Sequence, residues 1–516
     1  MVKVNLDALI PREDFEVNAG GSTSQFGQTL QIRDLEKGSF FYPIIRKPDF
    51  QRETADWSPE RISNFIESFL DGDLIPAIIL WQSGTNIFVI DGGHRLSALI
   101  AWVHDDYGDG DISRSFFEQK ISEEQIKIAD QTRSLVKSTV GSYRDFQHAI
   151  QYPDKSDEKH VERAKRLGFL ALQLQWVKGD ADKAEESFFK INQHAAPIDP
   201  TELRVLKARK KPNAIASRAI VRAGAGHKYW SKFDAETQSE IERIASEIND
   251  LLFLPKLKTP IKTLDLPIAG KGYSSNALPL LLDFINLAND VTVSTETKLE
   301  NDLDGSSTVR FLKNAKKVLT RITGTHPSSL GLHPVVYFYS AAGRYQPTAF
   351  LAMVSFVKWL ELKNKLIEFT NIRKEFERFC LKYKSIPNQI TVKLGSTNKG
   401  GSKRLAEMYQ FLHEQLSSGT TEVGLPSAFA TNPKFAFLGF EEQFTETENK
   451  DFSTNVKSAI FIKDALTNPV RCRICNGLIH LNSMTFDHVE RKQDGGQGRD
   501  NNGQLAHPFC NTTYKN

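Results

Sequence analysis

The last part of the chain holds three of its four cysteines, and with a histidine they form two ligand pairs. Cys472 and Cys475 make the first pair, and His507 and Cys510 make the second. In each pair two residues separate the ligands, a spacing that lets both side chains bind one tetrahedral zinc ion. Because this segment has few apolar residues, bound zinc would supply much of its folding free energy. A redox-active Cys-x-x-Cys needs no second pair downstream, so the sequence predicts a structural zinc site.

Between the two ligand pairs lie residues whose side chains suit phosphodiester hydrolysis. Asp487 and His488 are adjacent, and a polar loop that contains Gly495 and Gly496 follows them. Neutral imidazole accepts a proton from water near pH 7, so a histidine can serve as a general base. Hard divalent cations prefer oxygen ligands such as a carboxylate or an amide carbonyl. This combination favours metal-dependent hydrolysis over a zinc knuckle that only binds nucleic acid.

The segment resembles the HNH endonucleases, which have the ββα-metal fold, in its ligand pairs, its Asp-His step and its Gly-Gly loop. The resemblance implies that His488 is the general base. It implies that Asp487 and Asn511 bind a catalytic Mg²⁺ or Mn²⁺ ion, which stabilises charge on the phosphate. It also implies that Asn502, with Asn501 as the alternative, braces the loop and orients the histidine. The His-x-x-Cys second pair differs from the Cys-x-x-Cys pair that is commoner in this family.

A second motif lies near the start of the chain, where a strand is predicted to lead into a helix. Ser58 and Pro59 open a predicted helix that ends at Gly72. Residues 77–81 and 87–90 are β-rich runs that form a predicted hairpin. The second run is followed by Asp91, Gly92, Gly93, His94 and Arg95. Glycines at a helix start present backbone N–H groups to an anion, and an arginine adds a forked donor, so this turn is a candidate anion site.

This stretch resembles the ParB/sulfiredoxin-like superfamily, in the branch with a DGQQR or DGQHR motif that occurs in proteins linked to restriction and DNA modification. Gln51 and Arg52 upstream, and residues 188–192 downstream, fit the same pattern. The resemblance implies nucleotide binding and hydrolysis, or sensing of modified DNA, by Gln51, Arg52 and residues 91–95. Gly93 stands where glutamine is usual. The missing side chain weakens the prediction of nucleotide hydrolysis more than it weakens the prediction of the fold.

Composition and periodicity bound the remainder of the chain. A hydrophobic fraction of 40% and a charged fraction of 25% are typical of globular proteins, and the net charge of +3 gives no overall electrostatic case for nucleic acid. Helix-period apolar residues dominate the centre, including a long stretch from Thr348 past Phe379. We expect an α+β multidomain protein. A ParB-like α/β domain is predicted over residues 1–205 and a largely helical middle region over residues 206–438. A linker over residues 439–453 and an HNH domain over residues 454–516 follow.

Together the two motifs predict a restriction-type or anti-phage DNA endonuclease, in which the N-terminal domain senses a nucleotide or modified DNA. The alternative is a non-cleaving DNA-binding regulator with a zinc-binding tail, which would have no use for Asp487, His488 and Asn511. Expected partners are foreign DNA and a nucleoside triphosphate. One HNH site cuts one strand, so double-strand cleavage would need a homo-oligomer or two successive events. We expect no membrane segment and a reducing cytoplasmic location, which suits cysteines that bind metal.

Overall fold

The structure is a computed structural model that describes residues 3–13, 27–49, 51, 54–119, 121–194, 200–272, 277–395, 400–440 and 452–514. The chain divides into two compact units. The first comprises Met1–Ile215 and Gly224–Lys232, and the second comprises Ala216–Ala223 and Phe233–Asn516. Among the helices of these described ranges, none has the length and apolar character needed to cross a bilayer. The predicted linker lies almost wholly outside the described residues.

A six-stranded mixed sheet forms the centre of the first unit. Its strands are β1 (Arg12–Glu13), β2 (Thr29–Gln31), β3 (Ile45–Pro48), β4 (Ile78–Ser83), β5 (Asn86–Asp91) and β6 (Ala171–Trp176). They are arranged in the order β1-β3-β5-β4-β6-β2. The pairs β1–β3, β3–β5 and β4–β6 are parallel, and the pairs β4–β5 and β2–β6 are antiparallel. The predicted hairpin is confirmed as β4–β5.

The first unit also contains helices, some of which pack on the two faces of the β4–β5 hairpin. They are α1 (Pro59–Asp71), α2 (Gly93–His104), α3 (Asp111–Phe116), α4 (Glu123–Thr139), α5 (Tyr143–Gln151), α6 (Glu158–Leu167), α7 (Ala181–His194) and α8 (Pro200–Lys207), and α9 (Pro212–Val221) continues into the second unit. The predicted α1 is confirmed with its termini, because the Ser58 side chain accepts the Arg61 N–H and Gly72 ends the helix at φ +81°.

Both faces of the β4–β5 hairpin are buried, which accounts for its nearly continuous apolar sequence. On one face Leu80 and Val89 join a large core that includes α1 and α2. On the other face Trp81 and Phe88 pack with Phe188 of α7. The packing on two sides fixes the point where β5 passes into α2, and this point carries residues 91–95.

The second unit is mainly helical. Its helices are α10 (Ala235–Phe253), α11 (Ala277–Ala288), α12 (Val293–Glu296), α13 (Ser306–Ile322), α14 (Pro334–Tyr337), α15 (Pro347–Leu362), α16 (Leu366–Lys382), α17 (Ile386–Leu394), α18 (Gly401–Ser417), α19 (Leu425–Thr431), α20 (Thr454–Ala465) and α21 (Pro508–Thr513). We call α10 to α19 with their loops the helical middle. The long stretch predicted from Thr348 is two helices, because the chain turns after α15, where Asn364 adopts a left-handed φ of +54°.

Two short strands complete the second unit. β7 (Thr485–His488) and β8 (Gly503–Ala506) pair antiparallel, with Asp487 opposite Gln504 and His488 opposite Gly503. Helix α21 follows β8 directly, so the order is strand, strand, helix. We call residues 472–514 the HNH module, after the family that their sequence resembles.

Candidate nuclease site and metal centre

The two ligand pairs come together in one buried cluster. The sulfur atoms of Cys472, Cys475 and Cys510 and a ring nitrogen of His507 all lie within 4.8 Å of one another. A tight turn presents the first pair, because the Cys472 N–H donates to the Gly477 carbonyl at 2.9 Å. The second pair occupies the first turn of α21, where His507 is the N-cap residue. Backbone geometry thus places all four side chains around one point.

The tautomer of His507 suits a metal ligand. Its Nε2 donates to the backbone carbonyl of Leu478 at 2.9 Å, so Nδ1 carries the lone pair. Nδ1 lies 3.4 Å from Cys475 Sγ and 3.9 Å from Cys510 Sγ. Zinc bond lengths give a sulfur–nitrogen edge of about 3.6 Å in a tetrahedron. Burial, and then the charge of Arg373, lower the pKa of His507, so the imidazole is neutral. The four residues therefore fit a structural zinc ion.

Asp487 is held by a neighbour that the sequence did not single out. The Asp487 side chain is buried within β7, and the Gln504 amide donates to its Oδ2 at 2.8 Å. Gln504 lies directly opposite Asp487 across the hairpin, so only the strand register identifies it. His488 follows at the end of β7 and is half-buried. Asn511 of α21 approaches the same strand, with its Nδ2 3.5 Å from the Phe486 carbonyl. Asn511 therefore lies against the strand that carries Asp487 and His488.

The loop after His488 is tied to Asn502. The Glu490 N–H donates to Asn502 Oδ1 at 2.7 Å, and Asn502 Nδ2 donates to the carbonyls of Glu490 and Gln497 at 3.2 and 2.9 Å. Asn501 is exposed, and its backbone N–H donates to the Asp500 side chain. Of the two asparagines considered from the sequence, Asn502 makes the contacts that bracing requires.

Backbone geometry explains why glycine occupies both position 495 and position 496. A Cβ at Gly496 would lie 2.0 Å from the Glu490 carbonyl oxygen, which no side chain tolerates. Gly495 has φ +102°, a conformation that L residues rarely adopt. The two glycines let the loop fold back against the end of β7.

In the first unit, Asp91 and Arg95 form an ion pair across the start of α2. Arg95 Nη2 lies 2.6 Å from Asp91 Oδ2, and Nη1 donates to the carbonyls of Pro76 and Ala77. Burial lowers the pKa of Arg95, although the nearby Asp91 carboxylate opposes this shift. The predicted phosphate donor is thus engaged by the protein itself.

The other residues of this motif surround the same turn. Gly92 precedes α2 with φ +92°, and the space beside Gly93 holds the Gln51 amide, 3.1 Å from where a Cβ would lie. The Gln51 side chain is buried, and its Oε1 has no hydrogen-bond partner within the described ranges. The His94 ring stacks on Trp57 at 5.8 Å. Arg52 lies outside the described residues.

Two family models match the chain. Residues 472–516 match the HNH endonuclease model, which identifies the C-terminal module as a nuclease of a class that hydrolyses phosphodiesters with divalent metals. Residues 32–208 match the N-terminal domain of the GmrSD restriction endonuclease. The chain thus combines the domains of a restriction-type DNA nuclease. The relation of the N-terminal domain to the ParB/sulfiredoxin-like superfamily stays a prediction. No curated protein and no solved structure is significantly similar to the chain.

Proposed function

We propose that the HNH module hydrolyses DNA with His488 as the general base that deprotonates the attacking water. The observation that carries this proposal is the common location of three residues: His488 ends β7, Asp487 precedes it, and Asn511 of α21 lies against the same strand. A divalent ion, Mg²⁺ or Mn²⁺, would be held by Asp487 and Asn511 and would stabilise charge on the phosphate. Gln504 restrains Asp487 in this arrangement.

Asn502 acts indirectly in this mechanism. By binding the backbone of Glu490 and Gln497 it holds the loop that continues from His488, and so orients the imidazole. Cys472, Cys475, His507 and Cys510 bind a structural Zn²⁺ ion that fixes α21 against the hairpin. Their buried positions and the neutral imidazole support this assignment.

The N-terminal domain controls the nuclease by sensing a nucleotide or a DNA modification, through Gln51, Arg52 and residues 91–95. The buried Gln51 carbonyl and the glycine-led start of α2 support this role, since the first-turn amides of any helix lack intrahelical acceptors. The relation to the ParB-like superfamily belongs to the same proposal. Arg95 would exchange Asp91 and backbone carbonyls for a phosphate when the ligand binds.

Foreign or phage DNA is the proposed substrate, and the cytoplasm is the proposed location because its reducing conditions keep the thiols available for zinc. Two copies of the chain would cut both strands of a duplex. Two successive cuts at one site are the alternative to this homo-oligomer.

Cleavage assays test the proposal. Wild type and His488→Ala are incubated with supercoiled plasmid and with modified and unmodified phage DNA, with Mg²⁺ or Mn²⁺, and with or without nucleotides. We expect cutting by the wild type alone, and a dependence on nucleotide or modification that Gln51→Ala changes. A wild-type protein that holds zinc and binds DNA without cutting it would instead establish the binding-module alternative.

A further inference from the structure

Arg373 and Glu377 lie four residues apart on α16 and form a buried ion pair in the helical middle. Both side chains are 1% exposed, and Arg373 Nε donates to Glu377 Oε1 at 2.8 Å. The guanidinium also donates to backbone carbonyls of the loop before α14, to Gly331 at 2.9 Å through Nη2 and to Leu330 through Nη1. These contacts fix the position of the arginine without any contribution from the HNH module.

The same two side chains reach the zinc ligands. Arg373 Nη1 lies 3.3 Å from Nδ1 of His507, the atom that faces the thiols. Glu377 Oε2 accepts the Leu478 N–H at 2.8 Å, and the Leu478 carbonyl accepts the His507 Nε2 proton at 2.9 Å. Because the one lone pair of Nδ1 is the pair that would bind zinc, the guanidinium acts on this atom through its charge, and the hydrogen bonds form an open series from Arg373 through Glu377 and Leu478 to His507. The last bond of this series is the one that selects the metal-binding tautomer of His507.

Two glycines permit this close approach. A Cβ at Gly477 would lie 2.4 Å from Arg373 Nε, and a Cβ at Gly331 would lie 2.6 Å from His507 Cδ2. One glycine belongs to the HNH module and the other to the helical middle. A side chain at either position would displace the guanidinium or the imidazole, so both surfaces are shaped for this contact.

The charge of Arg373 complements a zinc-loaded cluster. Zinc ligands are deprotonated thiolates and neutral imidazole, so Zn²⁺ with three thiolates leaves one net negative charge. Arg373 Nη1 lies 3.3 Å from His507 Nδ1, and Cys475 Sγ lies 3.4 Å from the same nitrogen, so the guanidinium is close to this charge. A guanidinium is retained inside a protein when it is paired and hydrogen-bonded, and here carboxylate and cluster provide opposite charge on two sides.

We infer that Arg373 is a positioning residue of the metal centre, supplied by the helical middle, and that zinc retention depends on it. Glu377 orients both Arg373 and the backbone of Leu478. The inference rests on the proposed zinc site. Its consequence is that zinc binding and the docking of the HNH module on α16 stabilise each other.

Zinc release tests this inference. Zinc per chain and the rate of zinc transfer to a chromogenic chelator are measured for full-length wild type, Arg373→Met, Arg373→Lys and Arg321→Met. Arg321 of α13 is the matched control, because it pairs with Glu361 at 3.0 Å and donates to the Ser328 carbonyl at 2.8 Å, in the same loop. Loss of groups that support metal ligands typically changes metal affinity by about 10- to 100-fold.

We expect Arg373→Met to release zinc about 10- to 100-fold faster than the wild type, and Arg321→Met to change the rate by less than about twofold. The zinc-release rate of Arg373→Lys should lie between the rates of these two variants, since lysine keeps the positive charge but lacks the paired N–H donors of the guanidinium. Equal release by Arg373→Met and wild type would overturn the inference. A folded wild type that binds no zinc would overturn the zinc proposal itself, and the inference with it.

Hydrogen–deuterium exchange of the wild type gives a second test that does not depend on the folding of a variant. Removal of zinc should increase exchange in α16 as well as in the HNH module, while α1 of the first unit serves as the internal reference. Unchanged protection of α16 after zinc removal would overturn the coupling.

Discussion

Each unit of the molecule contains an arginine that is paired with an acid four residues away and donates to backbone carbonyls. Arg95 with Asp91 lies at the start of α2, where the two side chains are 14% and 33% exposed. Arg373 with Glu377 lies in the helical middle, where both are 1% exposed. Water can replace the contacts of the first pair, whereas the second pair has no substitute for its partners. The same arrangement therefore suits a site that opens for a ligand in one unit and a fixed support in the other.

The largest expected effect comes from removing the zinc ligands themselves. Cys510→Ser should abolish zinc binding and DNA cleavage, because apparent binding energies of structural zinc are about 10–16 kcal/mol and become folding energy of the module. Zinc per chain and plasmid nicking are measured together. Cys380→Ser, at a half-buried thiol outside the cluster, is the control and should keep both zinc and cleavage. Normal cleavage by zinc-free Cys510→Ser would refute a structural role for the metal.

The comparison of the two ion pairs is tested by isosteric substitutions. Glu377→Gln removes one of the two negative charges that flank the buried Arg373 guanidinium and should lower the free energy of unfolding of its unit by about 3–5 kcal/mol. Asp91→Asn, at a partly exposed pair, should cost about 0–1 kcal/mol. Urea unfolding measures both. Equal losses for the two variants would mean that burial does not distinguish the pairs.

Gln504 should affect catalysis without affecting the fold. Gln504→Ala removes the donor to Asp487 Oδ2 and should lower the nicking rate about 10- to 100-fold and raise the Mg²⁺ concentration needed. Rates measured across a Mg²⁺ titration separate these effects. Gln493→Ala, at an exposed position of the neighbouring loop, is the control. An unchanged Mg²⁺ dependence of the nicking rate in Gln504→Ala would contradict the assignment of Asp487 as a ligand of the catalytic ion.

The smallest effect is expected at the loop brace. Asn502→Ala removes three side-chain hydrogen bonds and should destabilise the loop by about 1–3 kcal/mol, with a modest fall in nicking rate. Asn501→Ala should behave like the wild type. Amide exchange in residues 490–497 measures the loop directly, and a larger effect from Asn501 would reverse the assignment.

Local sequence signals predicted most of the individual elements. Ser58, Pro59 and Gly72 defined α1 because capping chemistry acts within a few residues. The spacing of the cysteines predicted the metal cluster for the same reason. The break between α15 and α16 was missed, since Asn364 in a left-handed conformation has no strong sequence signal.

Long-range partners were beyond the sequence. Gln504 becomes the partner of Asp487 only through the hairpin register, and Arg373 reaches His507 across 134 positions. Arg95 was expected to face a phosphate, but the sequence could not reveal that Asp91 and the carbonyls before β4 engage it. Motifs thus predicted which residue types a site contains. Tertiary packing determines which of those side chains are already bound to other groups of the protein.

The most direct test of the central claim is the single-turnover nicking rate of His488→Ala in saturating Mg²⁺, with zinc content verified and free imidazole added in a parallel series. General-base catalysis typically contributes about 10²- to 10⁴-fold, so we expect a loss of that size. Added imidazole should restore part of the rate. Nicking by His488→Ala at the wild-type rate would contradict the account.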